Sequence, residues 1–586
     1  MLKLLKNLRK REWLMFAFSC IFIFTQVWLE LKLPDYMADI TTLVQTPGSV
    51  MSDVLLAGGK MLLCAFGSLI SAIIVGFLAA QVSAALSMRL RSGLFEKVQS
   101  FSMREINRFS TASLITRSTN DITQIQMIVV MGMQVVLKAP VMAVMAILKI
   151  IDKGNAQWSA LTGGAVLALL TVVAIVVSYA LPKFRRMQTL TDNLNRVTRE
   201  NLTGLKVVRA YNAEEYAQGK FEKANTDLTT NALKAQRAMA VLMPTMTVVM
   251  SGISLGIYWI GAFLIDAASM PEKMELFSNM VVFSSYAMQV IMSFVMMTMI
   301  FIMLPRAQVS AKRIQEVFQT ETTVRDGSRT DSPADCQGTV EFRHVNFRYP
   351  DAESDILHDI NFKVEKGQTI AFIGSTGSGK STIVNLAARF YDATEGEILV
   401  DGVNVKDYTL HALHNKFGYV PQRTVLFSGT IRSNVTYGES DRPAATDEEV
   451  QEAVEIAQGK EFVEGLEDTY NGFVAQGGAN FSGGQKQRIS IARAICRKPE
   501  IYIFDDSFSA LDYKTDKQLR AALKKRTAGV TSMIVAQRIG TIRDADIIAV
   551  VDEGRIVGMG THQELMKSCE VYQQIAYSQL SKEELE

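Results

Sequence analysis

Gly374 to Thr382 reads GSTGSGKST, and this stretch decides the fold of the half of the chain that contains it. It fits the phosphate-binding pattern G-x-x-x-x-G-K-[ST] through Gly374, Gly379, Lys380 and Ser381. The apolar run Thr369, Ile370, Ala371, Phe372 and Ile373 before it reads as a buried strand, and Ser381 to Arg389 after it reads as a helix. Glycines at 374, 377 and 379, with Ser375, Thr376 and Ser378 between them, let several backbone N–H groups converge on one point. The positive end of the following helix dipole aims at the same point. Lys380 adds a full charge for phosphate, while the hydroxyl of Ser381 is a ligand for Mg²⁺. Strand, glycine-rich loop and helix together predict nucleotide binding.

Working outward, 586 residues exceed one compact domain. The 48% hydrophobic content and a mean hydropathy of +0.14 place part of the chain in a membrane. A net charge of +2 gives no bulk signal for nucleic acid, and none is expected as a partner. Cys20, Cys64, Cys336, Cys496 and Cys569 are scattered without paired or metal-ligand spacing, which reads as free thiols in a reducing compartment. The apolar run that begins at Trp13 lacks a small-residue cleavage site and is followed by more spans, so it reads as a span and not as a cleavable signal.

Charge-free apolar runs cover Trp13 to Leu29, Met61 to Met88, Gly154 to Pro182, Ala238 to Ile265 and Leu276 to Pro305. A further run from Ile122 to Leu148 is broken only by Lys138. Each is near or above the roughly 20 residues that cross a bilayer as a helix. The reading is a six-span domain over residues 1–319, with spans at 13–33, 55–88, 122–150, 154–182, 238–266 and 276–306. Basic residues crowd Lys3 to Arg11, Arg89 to Arg117 and Lys183 to Arg199, whereas the alternate connections carry Asp35, Asp39, Asp53, Asp266, Glu272 and Glu275. By the positive-inside rule both termini are cytosolic. The first ten residues resemble a short helix lying on the inner surface. The long polar connections predict helices that extend into the cytosol, each turning through a short helix, near Ser110 to Ile115 and Asn212 to Phe221.

Lys138, two residues before Pro140, faces a cavity or else lies at the inner interface and snorkels. The sixth span carries Met280, Met288, Met292, Met296, Met297, Met299 and Met303, with Gln289 and Phe294 among them. Methionine suits a surface that repacks around varied apolar ligands, and it is equally a lipid-facing or core filler. Lys138, Met288, Gln289, Met292, Phe294 and Met296 are the substrate-cavity candidates. Residues 320–337 have linker composition, and a soluble α/β domain occupies 338–586.

The chain resembles a half-transporter of the ATP-binding cassette exporter family over essentially its whole length. The motifs carrying the resemblance occur in the family's order: Tyr349 in FRYPD, Gln422 in YVPQ, FSGGQ from Phe481 to Gln485, IYIFD ending at Asp505, and SALD from Ser509 to Asp512. The resemblance implies ATP and Mg²⁺ as cofactors and a six-helix transmembrane domain, with long helical extensions, fused to an α/β P-loop domain. Tyr349 would stack on adenine, Gln422 would reach Mg²⁺ and the γ-phosphate, and Ser381 and Asp505 would hold the metal. Gly374 to Thr382 would cradle the phosphates. Ser482, Gly483, Gly484 and Gln485 would clasp the ATP held by an opposite subunit.

Two residues depart from the family pattern. Asp506 stands where a glutamate polarises the attacking water, and Gln537 stands where the family has a histidine. Aspartate is one methylene shorter, and a miss of about 1 Å can cost on the order of a hundredfold in rate. Glutamine can hydrogen-bond phosphate but cannot take on charge. A weaker departure is VAQGG, Val474 to Gly478, where a Glu-Arg pair is common. The resemblance therefore implies the degenerate-site subunit of a heterodimeric bacterial exporter in the plasma membrane. Its partner would be a second half-transporter bearing the catalytic glutamate and switch histidine. Its cargo would be amphipathic or apolar compounds, as in multidrug efflux. A lipid or peptide exporter, and a regulatory subunit that binds ATP without transporting, are the alternatives.

Overall fold

The computed structural model describes residues 8–46, 48–152, 156–333, 337–350, 352–526 and 528–579. It divides into two compact units, Met1–Lys97 with Ala112–Gln319, and Val98–Thr111 with Thr320–Glu586.

The first unit is helical. Its long helices are α1 (Lys10–Gln45), α2 (Met51–Gln99), α4 (Thr111–Asp152), α5 (Ala156–Thr203), α7 (Glu214–Ala267) and α8 (Met270–Gln319), with the six-residue α6 (Leu205–Ala210) among them; the seven-residue α3 (Met103–Phe109), between α2 and α4 in sequence, belongs to the second unit. All six long helices contain a stretch long and apolar enough to span a membrane. The inner-surface helix expected at the N-terminus falls mostly on residues 1–7, outside the described residues; Arg9 is extended, and α1 starts at Lys10.

Helix packing follows membrane rules, in which small residues admit close backbones and large apolar ones face outward. On α2 the buried face carries Ser68, Ser71, Ala79, Ser83 and Ser87, whereas Leu63, Phe66, Ile70, Ile73 and Phe77 are exposed. Between α7 and its neighbours, a Cβ on Gly261 would lie 2.3 Å from Met280 Sδ, so the helices meet there only over a glycine. Trp158 on α5 is fully buried at this junction and donates its indole N–H to the Ile257 carbonyl at 3.1 Å. Beyond the apolar part, α4 is tied to α8 by Ser310 donating to Asp121 at 2.7 Å and by Arg117 meeting Glu316 at 2.9 Å.

The short helices sit earlier than the sequence reading placed them. The first is α3, because Ser102 and Glu105 form a reciprocal cap at its start and Ser110, at φ 57°, breaks the chain after it. Of the residues expected to form that helix, Ser110 is the break itself and Thr111 to Ile115 open α4. Likewise α6 precedes Asn212, whose φ of 50° ends it, and Glu214 already belongs to the long α7.

The second unit holds two sheets. Strands β1 (Val340–Phe347), β2 (Leu357–Val364), β3 (Thr369–Ile373), β4 (Glu395–Val400), β5 (Val403–Asn404) and β6 (Phe417–Val420) come first. A two-residue ladder joins β7 (Gly429–Thr430) to β8 (Phe473–Val474), and β9 (Ile501–Asp505), β10 (Thr531–Val535), β11 (Ile547–Asp552) and β12 (Arg555–Gly560) follow. The antiparallel sheet has the order β2-β1-β4-β5, and the main sheet β12-β11-β3-β10-β9-β6. In the main sheet β6, β9, β10, β3 and β11 are parallel. Their residues are apolar on both faces, as a sheet covered on both sides requires; Ile370 to Ile373 and Ile501 to Asp505 are all buried.

The stretch read as a linker is strapped to this unit. Thr323 donates to Glu105 at 2.9 Å, the Gly327 N–H bonds the Tyr408 carbonyl at 3.0 Å, and the Ser328 and Arg329 N–H groups bond the Asp407 carbonyl. Ser332 then donates to the fully buried Asp401, which also receives Lys416 and the Gly338 N–H.

Candidate nucleotide site

In a parallel sheet, side chains just beyond the carboxyl ends of neighbouring strands converge on one crevice. The order β3-β10-β9-β6 therefore gathers four segments distant in sequence. The glycine-rich loop follows β3, Gln537 follows β10, Asp505 and Asp506 end and follow β9, and Gln422 follows β6.

The loop leads into α9 (Lys380–Ala387) through Gly379 at φ 102°, a left-handed conformation that an L side chain adopts only with strain. A Cβ there would also lie 2.6 Å from Leu357 Cδ2. Gly374 is packed against the sheet, where a Cβ would come within 1.9 Å of the Val551 carbonyl oxygen. Ser375, Thr376 and Gly377 form an exposed crest, whereas Ser378 is buried. The Lys380 ammonium donates to the carbonyls of Gly374 at 2.9 Å and Ser375 at 2.6 Å and reaches the Ser378 hydroxyl at 3.3 Å. Burial lowers its pKa, opposed by the charges of Asp506 and Asp505.

Ser381 donates to Asp505 Oδ1 at 2.6 Å, so a hydroxyl and a carboxylate sit side by side. This is the hard oxygen donor set that Mg²⁺ takes. Burial is the main reason the Asp505 carboxyl is pushed above the usual carboxylate range, and neighbouring Asp506 adds to it. Asp506 is also raised, chiefly by burial. Its backbone is left-handed at φ 47°, and its Oδ2 accepts from Gln537 Nε2 at 2.9 Å and from Gln422 Nε2 at 3.3 Å. The structure thus joins Gln422, Asp506 and Gln537 into one hydrogen-bonded set.

Tyr349 lies edge-on to Phe347 and Tyr391, with ring centroids 4.9 and 5.3 Å apart, and its hydroxyl meets that of Thr382 at 3.0 Å. Tyr391 in turn receives a hydrogen bond from Asn107 on α3 at 3.1 Å. Sequence reasoning missed Asn107 and Tyr391; the adjacent aromatics Phe390 and Tyr391 just after the helix were the available signal.

The remaining cofactor candidates lie apart. Ser482 caps α10 (Gly483–Cys496): its hydroxyl accepts the Gln485 N–H, and its own N–H donates to Gln485 Oε1 at 2.9 Å. Ser482 and Gly483 are exposed, and a Cβ on Gly484 would lie 3.3 Å from the Ala510 carbonyl. These residues bond one another and present a helix N-terminus with free N–H groups to solvent.

Of the cavity candidates, Lys138 forms an ion pair with Glu30 at 2.8 Å, which neither reading of the sequence included. Met288, Gln289, Phe294 and Met296 are half-buried, and Met292 is exposed. Gln289 Oε1 is buried without a hydrogen-bond partner. Met280 belongs to the core, and the side chains of Met299 and Met303 lie outside the described residues.

The comparisons with known proteins agree with this architecture. A model of the ABC transporter transmembrane region matches residues 14–294, and an ABC transporter model matches residues 357–509. An uncharacterized ABC transporter ATP-binding protein of Mycobacterium bovis is 41% identical over 543 residues, 92% of this chain and 90% of that one. An ATP-dependent lipid A-core flippase of Pseudomonas aeruginosa is 31% identical over 84% of this chain and 79% of its own. A bacterial Atm1-family ABC exporter with ATP bound superposes with a TM-score of 0.80 at 23% identity, covering 98% of this chain and 99% of that one. The chain belongs to the ABC transporter family. It is a multi-pass exporter half-transporter whose cassette binds ATP.

Proposed function

We propose that this chain is the hydrolysis-impaired subunit of a heterodimeric ATP-driven exporter. The observation that carries the proposal is the Asp506 carboxylate held by Gln537 at 2.9 Å and Gln422 at 3.3 Å. A carboxylate that accepts two amide donors on one oxygen, at the end of a short side chain, is occupied rather than poised to orient water. A neutral amide in place of histidine offers no positive charge beside the γ-phosphate.

In this reading Gly374 to Thr382 wraps the phosphates and Lys380 neutralises them. Ser381, Asp505 and Gln422 would hold Mg²⁺, and Tyr349 would meet adenine. When bound, the nucleotide would supply the phosphates that these residues hold, and the amide-held Asp506 carboxylate would turn it over slowly. Ser482, Gly483, Gly484 and Gln485 serve the partner's site, as their exposed, self-capped helix start suggests. The distribution of Lys and Arg supports cytosolic termini, and the bacterial relatives support a bacterial inner membrane.

Amphipathic or apolar compounds are the proposed cargo, supported by the half-buried methionines of α8. The flippase relative favours lipid as a second reading. The test is ATPase activity of the full-length chain in lipid nanodiscs, alone and co-purified with a partner half-transporter. Activity near background alone and robust turnover in the pair is expected. Robust turnover by the chain alone overturns the proposal.

A further inference from the structure

The membrane unit contains two acid–base pairs between α1 and α4, Glu30 with Lys138 at 2.8 Å and Asp35 with Lys149 at 2.9 Å. Charge within a membrane-spanning segment is costly and by default marks a working site. The two pairs are satisfied differently. Asp35 is held by the buried Tyr286 hydroxyl at 2.6 Å as well as by Lys149, with Lys32 a further 3.8 Å away. Glu30 accepts on Oε1 from Lys138, from Gln26 Nε2 at 2.9 Å and from the Ser68 hydroxyl at 3.2 Å. Glu30 therefore keeps two donors when Lys138 leaves. Lys138 has three N–H donors and uses one of them on Glu30.

The backbone around Lys138 is built to yield. A π-helical turn, Gly132–Val136, ends two residues before it, with the Leu137 N–H bonded to the Gly132 carbonyl at 3.3 Å. Pro140, two residues after it, has no N–H to offer the Val136 carbonyl. Widened turns of this kind concentrate at functional sites. Neither charged side chain is sealed: Lys138 is 19% and Glu30 is 22% accessible.

We propose that Lys138 recognises the anionic headgroup, carboxylate or phosphate, of an amphiphilic cargo. The proposal rests on the reading of this chain as an amphiphile exporter and names the cargo's chemistry. The ammonium swings from Glu30 to the incoming anion, and Gln26 and Ser68 hold the Glu30 carboxylate meanwhile. A cationic headgroup is disfavoured by the same geometry. Taking Lys138's place on Glu30, it leaves the ammonium without an acceptor in a medium where a bare charge is expensive.

The test uses the full-length chain in phosphatidylcholine nanodiscs and measures equilibrium binding of four probes: dioctanoyl phosphatidate, dodecanoate, dodecyltrimethylammonium and dodecanol. Both anions should bind about tenfold or more tighter than the cation or the alcohol, the energetic scale of one charge-assisted contact. The two anionic arms separate a phosphate headgroup from a carboxylate. Lys138→Gln should remove most of that preference, Lys138→Arg should retain it, and Glu30→Gln should keep or strengthen it by freeing the ammonium. The paired change Glu30→Gln with Lys138→Gln controls for a bare charge, and nucleotide binding by each variant reports folding. Equal binding of anion and cation by the unmodified chain, or an unchanged preference in Lys138→Gln, overturns the proposal. Vesicle transport by the co-purified pair reads the exporter role separately. Anion binding through Lys138 with no transport of any probe sinks that role and leaves the recognition site standing.

Discussion

The Gln537 side chain donates to Asp506 Oδ2 at 2.9 Å, linking the two residues that depart furthest from the family pattern. They lie 31 positions apart in sequence and meet because β9 and β10 are adjacent parallel strands. A change to either one alone leaves a mismatched pair. Asp506→Glu combined with Gln537→His should raise the ATPase rate of the chain on its own by about tenfold or more, while each single change does little, because groups acting as a unit are non-additive. Steady-state phosphate release from the three variants decides this; a double variant no faster than the unmodified chain removes the pair as the cause of slow turnover.

In the proposed heterodimer, Ser482→Arg should abolish most ATPase activity although it lies in the impaired subunit, because its bulk blocks the surface offered to the partner's nucleotide. Lys380→Ala should be the milder of the two for turnover. Both are compared at saturating ATP in the co-purified complex. The opposite ranking reverses the assignment of slow and fast sites.

Gly379→Ala and Gly377→Ala should differ sharply. Both positions are left-handed, at φ 102° and 85°, and each alanine carries a strain of about 1 kcal/mol or more. Only at 379 does the new methyl also collide, with Leu357 Cδ2 at 2.6 Å; at 377 nothing lies within 4 Å. Equilibrium binding of a fluorescent ATP analogue should be lost for Gly379→Ala and only weakened for Gly377→Ala.

Tyr391→Ala should raise the nucleotide Kd severalfold, because Tyr349 loses the ring that fixes its edge-on pose at 5.3 Å. Tyr391→Phe keeps that ring and removes only the bond from Asn107, worth about 1 kcal/mol. It should leave nucleotide affinity unchanged. Equal Kd values for the alanine and phenylalanine variants exclude the ring contact as the cause.

Asp505 gives a pH dependence of definite sign. Its folded pKa lies above the ordinary carboxylate value because of burial, so the neutral form suits the nucleotide-free fold and ionisation opposes it. Relative to Asp505→Asn, the unmodified chain should therefore gain stability as pH falls from neutral toward the ordinary carboxylate range. Thermal melts of both proteins without nucleotide measure the difference, and a difference that is flat with pH or runs the other way refutes the assignment.

The cassette was legible because its chemistry is written in short runs. GSTGSGKST, IYIFD and FSGGQ each carry their own strand, turn or cap signal, and the parallel sheet then gathers them. The six spans were legible from hydropathy alone. Glu30 was not, because the charge-free run stops at Leu29, whereas α1 continues to Gln45 and carries the acid up to Lys138. The short helices were misplaced because polar periodicity continues through Ser110 and Asn212, whose positive φ leaves no trace in composition. Asn107 and Tyr391 are 284 positions apart, and no local pattern connects them.

The strapped segment after α8 has little slack of its own. A free tether of eighteen residues could stretch by roughly 60 Å at about 3.3–3.6 Å per residue and would absorb any displacement at either end. Here the chain leaves α8 at Gln319 and is already fastened at Thr323 to Glu105, so the slack is that of four peptide units. The segment is thereby held as part of the second unit's fold rather than left as a loose spacer.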